Sequence, residues 1–557
     1  MMERSACSIL LIGFQDQDNL GLRYLLSSVR QAGFAGRIET YSADPEPIVD
    51  LVERYRPDVI GFSLIFQYMS PAFGKVIQAL REQGCRAHIT IGGHYPSFDY
   101  GEVLQRIPGA DSIVRFEGEA TLIALMDKLF RGEDWRDLAG IAYRHDGTIL
   151  SNPLRPAIED LDELPFPDRS DIDYRGKDLA TASILGSRGC PWDCSFCSIR
   201  PFYEAQGGKL RRLRSPASVV EEMRQLHFEQ GARIFLFQDD DFLATGRRAR
   251  SWAEGLAEGV ITAGLAGRTA FKISCRSDEI KYETMARLVA AGLTHVYMGV
   301  ENGDEEGLIN LNKMLKPHHH LEAGEILRSL GLSFDFGFML LEPYSTIASV
   351  RNNIAFLDRF VGDGWSVAGF CRTLPYAGTP LKRRLEEEGR LLGTPFEPDY
   401  NFLDPKLDIF YNWMLLTFRE RNFDNEGLVE ILRALMFEAQ LNLPGFRNFR
   451  ASDRARLQSI TARCNGHALY CLSAALDYIE ATPLDRIEIG SGYLARLTAH
   501  ELEQERRLKV EVNQFYWSTR ASLGSAEPDS EALRLLGAFE NSWTVSPRDL
   551  RMAQNAP

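Results

Sequence analysis

The chain is short of several things that would define it at once. No apolar run approaches the roughly 18 residues of a membrane-spanning helix, and the amino terminus has no apolar signal-peptide core, so a cytoplasmic setting is expected. Basic residues are in the minority: 63 Lys and Arg stand against 77 Asp and Glu, a formal charge of −14, with an isoelectric point near 5.4. Nucleic-acid binders carry a basic face, so no nucleic-acid partner is expected. Cysteines number nine in 557 residues and are scattered except at one place. That excludes a disulfide scaffold and fits a reducing compartment. No G-x-G-x-x-G follows the first apolar run, so the dinucleotide fingerprint is missing. Beyond the three histidines 318–320 there is no low-complexity tract, and no internal repeat.

What is present is length and alternation. The chain is too long for one core, so roughly two to four domains are expected. Residues 9 to about 132 alternate strand-sized runs with helical stretches such as 20–33, 48–56 and 74–84. The runs are ILLIGF (9–14), RIETYS (37–42), DVIGFSLIF (58–66), HITIGG (88–93) and SIVRF (112–116). This predicts an α/β, doubly wound, Rossmann-like domain over 1–150, with ligands bound beyond the carboxyl ends of its strands. A short two-stranded segment is expected near 140–150. A linker over 151–180 contains 161-LDELPFPDRS-170, whose prolines punctuate the chain. Residues 181–380 read as six βα units, a (βα)6 partial TIM barrel with strands near 183–186, 233–238, 271–276, 295–300, 333–340 and 365–371. Its chemistry belongs at the strands' carboxyl ends. Residues 381–557 read as a helical domain with helices over 408–441, 453–481 and 493–521, and FYNWMLLTF (410–418) as helical core.

The one cysteine cluster follows the first barrel strand: 188-RGCPWDCSFCSIR-200 spaces Cys190, Cys194 and Cys197 as C-x3-C-x2-C, with Phe196 before the last. Thiolates suit zinc or iron–sulfur clusters. A structural zinc site calls for a second close pair of Cys or His, and here Cys275 stands alone with no histidine near the cluster. With the βα repeats, the pattern resembles the radical S-adenosylmethionine (SAM) superfamily. The resemblance implies that the three cysteines hold three irons of a 4Fe-4S cluster, and that SAM chelates the fourth. An electron from the cluster would then split SAM into methionine and a deoxyadenosyl radical. It further implies that the acidic turn Gln238, Asp239, Asp240, Asp241 and Phe242 holds SAM's amino group. Arg276 and Glu301 would contact its carboxylate or ribose, with 336–343 and 375–380 serving as adenine-side and barrel-closing elements. The aspartates could equally form a solvated turn, and Arg276 and Glu301 structural ion pairs.

The amino-terminal domain resembles a cobalamin-binding domain in 60-IGFSLIF-66, 91-IGGHYPS-97 and 116-FEGEAT-121. The competing reading is a nucleotide or flavin site. By that resemblance Ser63 and Leu64 face the corrin, Gly92 and Gly93 let backbone approach its nucleotide loop, and Glu117, Gly118 and Glu119 form the family's EGE turn. Many such domains carry D-x-H-x-x-G after the first strand. Here 16-DQDNLG-21 keeps Asp16 and Gly21 but puts Asp18 where the cobalt-ligating histidine would stand. Carboxylate is a poor substitute for imidazole on cobalt, so cobalamin without a histidine ligand is expected, with its lower face open or covered from residues 66–69. His94 reads as packing or hydrogen bonding, and histidines 318–320 as a solvated helix start.

Together the resemblances cover about residues 8–380 and identify a cobalamin-dependent radical SAM enzyme, methylase-type. That family implies SAM used twice, once to make methylcobalamin and once to generate the radical that activates an unactivated substrate carbon. It also implies an electron donor such as flavodoxin or ferredoxin. A small-molecule substrate, a natural-product precursor by family tendency, is expected. A cyclisation or rearrangement without methyl transfer, a polar methylation and a non-catalytic cobalamin sensor are the alternatives.

Overall fold

The computed structural model describes residues 7–521, apart from Asp16, Gln17, Asp178, Asn442, Gly445, Arg447 and Asn448. The Asp16 match therefore lies outside the described residues. The first sheet has seven strands in the order β2-β1-β3-β4-β5-β6-β7. They are β1 (Ser8–Gly13), β2 (Ala35–Thr40), β3 (Val59–Ser63), β4 (His88–Gly92), β5 (Ser112–Val114), β6 (Ile141–His145) and β7 (Thr148–Ser151). The first five are parallel, and the last two add an antiparallel hairpin at one edge. In β1, Ile9 and Leu11 enter one core with Leu22 and Leu125, while Leu10 and Ile12 enter another with Phe62 and Phe73. Helices cover both faces, which is why the strand reads as an unbroken apolar run. These are α1 (Leu20–Gln31), α2 (Glu46–Tyr55), α3 (Ser70–Glu82), α4 (His94–Phe98), α5 (Tyr100–Arg106) and α6 (Glu119–Arg131). Strand order reverses between β1 and β3, the switch point where doubly wound sheets bind ligands.

The second sheet is parallel, in the order β15-β14-β13-β12-β11-β8. Its strands are β8 (Thr181–Ile184), β11 (Ile234–Phe237), β12 (Ala270–Arg276), β13 (Leu293–Glu301), β14 (Ser333–Leu341) and β15 (Cys371–Arg372). A small antiparallel pair, β9 (Ser187–Arg188) with β10 (Arg212–Leu213), interrupts it after β8. The helices are α7 (Ile199–Ala205), α8 (Pro216–Gln230), α9 (Arg247–Thr262), α10 (Tyr282–Ala291), α11 (Glu305–Asn310), α12 (Pro317–Ser329), α13 (Ile347–Val361) and α14 (Pro380–Glu387). This is the expected half-barrel, with one correction. The sixth strand is two residues long, not seven, because residues 368–370 give their polar backbone groups to side chains. Ala368 N–H donates to Asn465 Oδ1 (2.8 Å), Arg421 Nη1 donates to the Ala368 carbonyl (2.9 Å), and Asn422 Nδ2 to that of Phe370 (3.0 Å).

Those side chains come from the carboxyl-terminal helices α15 (Pro405–Phe423), α16 (Leu428–Gln440), α17 (Ala451–Ala481) and α18 (Gly492–Ala521). The expected helix over 408–441 is two helices. The break falls at Gly427, where a Cβ would lie 2.2 Å from the Glu420 carbonyl. Phe410, Trp413, Met414 and Phe418 are buried, as helical core. None of the described helices is long and apolar enough to cross a membrane.

Candidate functional site

Beyond β9 the chain enters the loop of Cys190, Cys194 and Cys197, three free thiols that are partly accessible. Gly189 has φ 89°, and a Cβ there would fall 2.0 Å from the Leu210 carbonyl oxygen, so only glycine fits before the first cysteine. Cys197 N–H closes a turn on the Cys194 carbonyl (3.1 Å). Burial, then the nearby Asp241, raises the Cys190 thiol; burial and Cys194 push Cys197 up to about 12. Such thiols keep their protons until a cation replaces them. Among the described residues, no three His, Cys, Asp or Glu side chains are gathered where one ion would sit. Ligands that each take a different iron of a cubane have no need to be. The loop's donor set therefore fits a 4Fe-4S cluster.

The loop is braced from below. Trp192 Nε1 donates to Asp241 Oδ2 (3.1 Å) and Glu279 Oε1 (3.0 Å). Burial, reinforced by the charge of Asp241, pushes the Glu279 carboxyl up to about 9. The Arg276 guanidinium lies 3.8 Å over the Trp192 ring, bonds Asp278 Oδ1 (3.1 Å) and the Lys313 carbonyl (2.8 Å), and stands 3.9 Å from Cys194 Sγ. Arg276 was expected to contact SAM; in this structure its guanidinium braces the cysteine loop.

The acidic turn divides its work. Asp239, expected to hold SAM's amino group, accepts instead from Gly186 N–H (2.9 Å) and Ser187 Oγ (2.5 Å), and burial pushes it up to about 6. Asp240 accepts from Gly189 N–H through Oδ2 (2.8 Å). Asp240 is exposed, and loss of hydration raises its carboxyl to about 6. Its accessibility leaves it able to meet an ammonium group.

Sequence reasoning missed Lys313. Its buried ammonium donates to Glu301 Oε1 (3.2 Å) and lies 5.9 Å from the centre of the Phe196 ring. Burial opposes the charge, but Glu301 and Cys194 outweigh it and hold the amine above its ordinary value. Three left-handed non-glycine residues surround it: Glu301 (φ 67°), Asn312 (φ 50°) and Met314 (φ 55°). Strain of this kind collects at functional sites. The sequence offered only a lysine alternating with Leu311 and Leu315, which an exposed loop also shows; the burial of both leucines comes from the structure. Gly299 and Gly337 leave room for Glu301 to fold back; a Cβ on either would meet its carboxylate at 3.0 Å.

On the first sheet the expectations change more. Ser63 ends β3, half-buried, and the Leu64 side chain is buried in the core. Gly93 has φ 113°, and its missing Cβ would strike the Leu64 carbonyl oxygen at 2.3 Å. Its glycine is thus required by the protein's own backbone, while a Cβ on Gly92 would stand 3.4 Å from the Val114 carbonyl. Gly118 packs between Val114 and Leu25. Glu117 and Glu119 pair with Arg188 and Arg212 of the β9–β10 hairpin.

Asp18 is likewise occupied. Its Oδ2 accepts from Tyr174 O–H (2.6 Å) and Ser183 N–H (3.1 Å), with Arg169 Nε 3.7 Å away. It ties the first sheet to the linker and to β8. Within 66–69, Gln67 bonds Pro395 and Ala377, and Phe66 stacks on Tyr68. His94 stacks on Phe202 at 4.2 Å. Of the histidine run, His318 is exposed and His319 caps a helix start, but His320 is fully buried against Ser277 Oγ (2.6 Å).

The carboxyl-end loops of both sheets therefore meet, through His94 and Phe202 and through the EGE turn and the β9–β10 hairpin. This defines a class: a doubly wound α/β ligand domain set mouth to mouth against a half-barrel whose first loop offers three thiols. Comparison with known proteins gives the particular family. The B12 binding domain matches residues 14–126 and the radical SAM superfamily residues 184–354. An uncharacterized methyltransferase of Pyrococcus horikoshii is 27% identical over 74% of this chain and 86% of its own. Hopanoid C-3 methylase of Methylococcus capsulatus is 29% identical over 56% and 59%. Anaerobic magnesium-protoporphyrin IX monomethyl ester cyclase of Cereibacter sphaeroides is 24% identical over 69% and 62%. The match thus spans less than two thirds of the last two. In fold, the structure superposes on OxsB, a cobalamin-dependent SAM radical enzyme with aqua-cobalamin bound, with TM-score 0.67, 15% identity and coverage of 97% and 85%. The chain belongs to the cobalamin-dependent radical SAM enzymes, whose cofactors are cobalamin, SAM and a 4Fe-4S cluster.

Proposed function

We propose that this chain methylates a carbon of a small-molecule substrate, a natural-product precursor by class, drawing the methyl group from SAM by way of cobalamin. One observation carries the reading: the β9–β10 hairpin that leads into the cysteine loop, and the helix after that loop, are docked directly on the loops that follow β4 and β5, so the two cofactor sites lie beside one another. Bound there, the cluster would supply the electron that cleaves SAM and cobalamin would carry the methyl group. The chain's own residues do the placing. Asp240 receives the SAM ammonium, Lys313 its carboxylate, Glu301 its ribose hydroxyls, and Phe196 packs alongside. Asp18 gives cobalt no ligand, because its carboxylate is turned toward β8. A small redox protein such as flavodoxin or ferredoxin supplies the electrons.

Two of the named relatives are methyltransferases, which supports methyl transfer; the cyclase keeps a rearrangement without it as the second reading. Anaerobic reconstitution with cluster, cobalamin and methyl-labelled SAM separates them. Label in the product supports methylation, and an unlabelled rearranged product supports the second reading. Methylation without deoxyadenosine indicates a polar route. No cleavage of SAM under reduction would reduce the protein to a cobalamin-binding sensor.

A further inference from the structure

We propose that Glu117 is a positioning residue for the cluster-bearing loop, reaching across from the other half of the molecule, and not a contact to cobalamin. The inference rests on the proposed function only in taking the cysteine loop as the cluster's seat. Both carboxylate oxygens are fully engaged. Oε1 accepts from Arg212 Nη2 (2.7 Å) and Arg188 Nη1 (3.1 Å), and Oε2 from Arg212 Nη1 (2.9 Å) and Ile158 N–H (2.9 Å). Glu119 Oε1 accepts from Arg188 Nη2 (2.7 Å). The side chains of Glu117, Arg188 and Arg212 are 5%, 10% and 1% exposed.

The register explains why a carboxylate is needed there. Arg188 and Arg212 stand directly opposite one another in the β9–β10 pair, and like charges so placed repel. Glu117 bridges both guanidiniums, and with Glu119 it brings the buried group to two positive and two negative charges. Arg188 is followed at once by Gly189 and Cys190, so the bridge fixes the first residue of the cysteine loop. The far end of that segment is held from the same turn: Glu117 N–H donates to Gln206 Oε1 (3.2 Å), and Phe116 packs on Phe202 (4.9 Å).

Glu117 is itself placed by strain. Phe116 before it sits at φ 61°, an outlier for a bulky residue. Its N–H donates to Ser97 Oγ (2.7 Å), and that hydroxyl donates to the Gly93 carbonyl (2.7 Å). Direct contacts thus run from the loop after β4, through Ser97, Phe116 and Glu117, to Arg188 and the first cysteine.

The test compares full-length wild type, Glu117→Gln and Glu117→Asp. In the cofactor-free chain, amide exchange over 187–206 should accelerate about tenfold or more in Glu117→Gln, since a buried charge pair has lost a partner. Exchange in β1 should stay unchanged, and Glu117→Asp should restore part of the protection. With cluster and cobalamin reconstituted, Glu117→Gln should bind cobalamin at wild-type stoichiometry but lose the SAM-induced change in the reduced cluster's electron paramagnetic resonance spectrum. Loss of cobalamin binding with exchange and spectrum unchanged would overturn the proposal. If wild type itself shows no SAM-induced change, the proposed function fails, and the exchange data alone decide whether Glu117 positions the loop. If Glu117→Gln does not fold, Glu119→Gln, which removes one bond, should show the same shifts at smaller size; unaltered exchange there would also overturn it.

Discussion

At the carboxyl ends of β4 and β5, the polar side chains Ser97, Glu117 and Glu119 have their partners inside the protein and are nearly inaccessible. At the corresponding ends of β11 and β13, Asp240 is open to solvent, and Glu301 faces Lys313 over glycines that leave it room. The same topological position has been put to two uses. One mouth is built chiefly to grip its neighbour. The other holds its charged groups ready, and one of them, Glu301, sits on strained backbone.

The sharpest way to break this comparison is at the thiols. Replacing Cys190, Cys194 and Cys197 with Ala should abolish the cluster absorbance and deoxyadenosine formation entirely, while cobalamin still binds to the other half. Next comes Lys313→Ala. It leaves Glu301 without its buried partner, so reductive SAM cleavage should fall about a hundredfold, near 3 kcal/mol, and Lys313→Arg should recover part of it.

A smaller effect is expected at Asp18. Asp18→Asn should cost about 1–3 kcal/mol in a melting experiment, through weakened bonds to Tyr174 and Ser183. Asp18→His should produce no nitrogen-ligated cobalamin spectrum. Nitrogen ligation there would show that position 18 faces the corrin and would erase the contrast between the two mouths.

The smallest is a pH effect. Burial lowers His88 and His94 to about 4 and His320 to about 3. The folded chain keeps these rings neutral while the unfolded chain protonates them below about pH 6.5. Unfolding therefore takes up protons at these rings, and their contribution to stability should fall as pH drops from about 6.5 toward 4, against the opposite contribution of the buried Asp239, Asp240 and Glu279 carboxyls. His94→Phe preserves a ring against Phe202, and its melting temperature should fall less than that of wild type over that pH range.

Much of the architecture could be read from periodicity, because strands buried on both faces announce themselves as apolar runs and the helices between them alternate cleanly. The cysteines were legible because chemistry fixes their spacing. What spacing could not convey was the direction of a side chain. Asp239, Arg276, Glu117 and Glu119 occupy positions that a ligand could reach by sequence alignment, yet each is turned onto a backbone amide or a charged neighbour. Lys313 went unread for the opposite reason, since a lysine between leucines looks like an exposed loop until burial is known. The short β15 was invisible because its place is taken by side chains from helices more than 40 residues further on.

That last substitution has a consequence for how the chain matures. The outer edge of the half-barrel is a row of backbone donors and acceptors, which is a template for pairing with another chain until something covers it. Arg421, Asn422 and Asn465 cover it, and they are synthesised after every barrel strand. A ribosome-bound or truncated chain ending near residue 380 would present an unprotected edge, and aggregation should compete with folding until α15 and α17 have emerged.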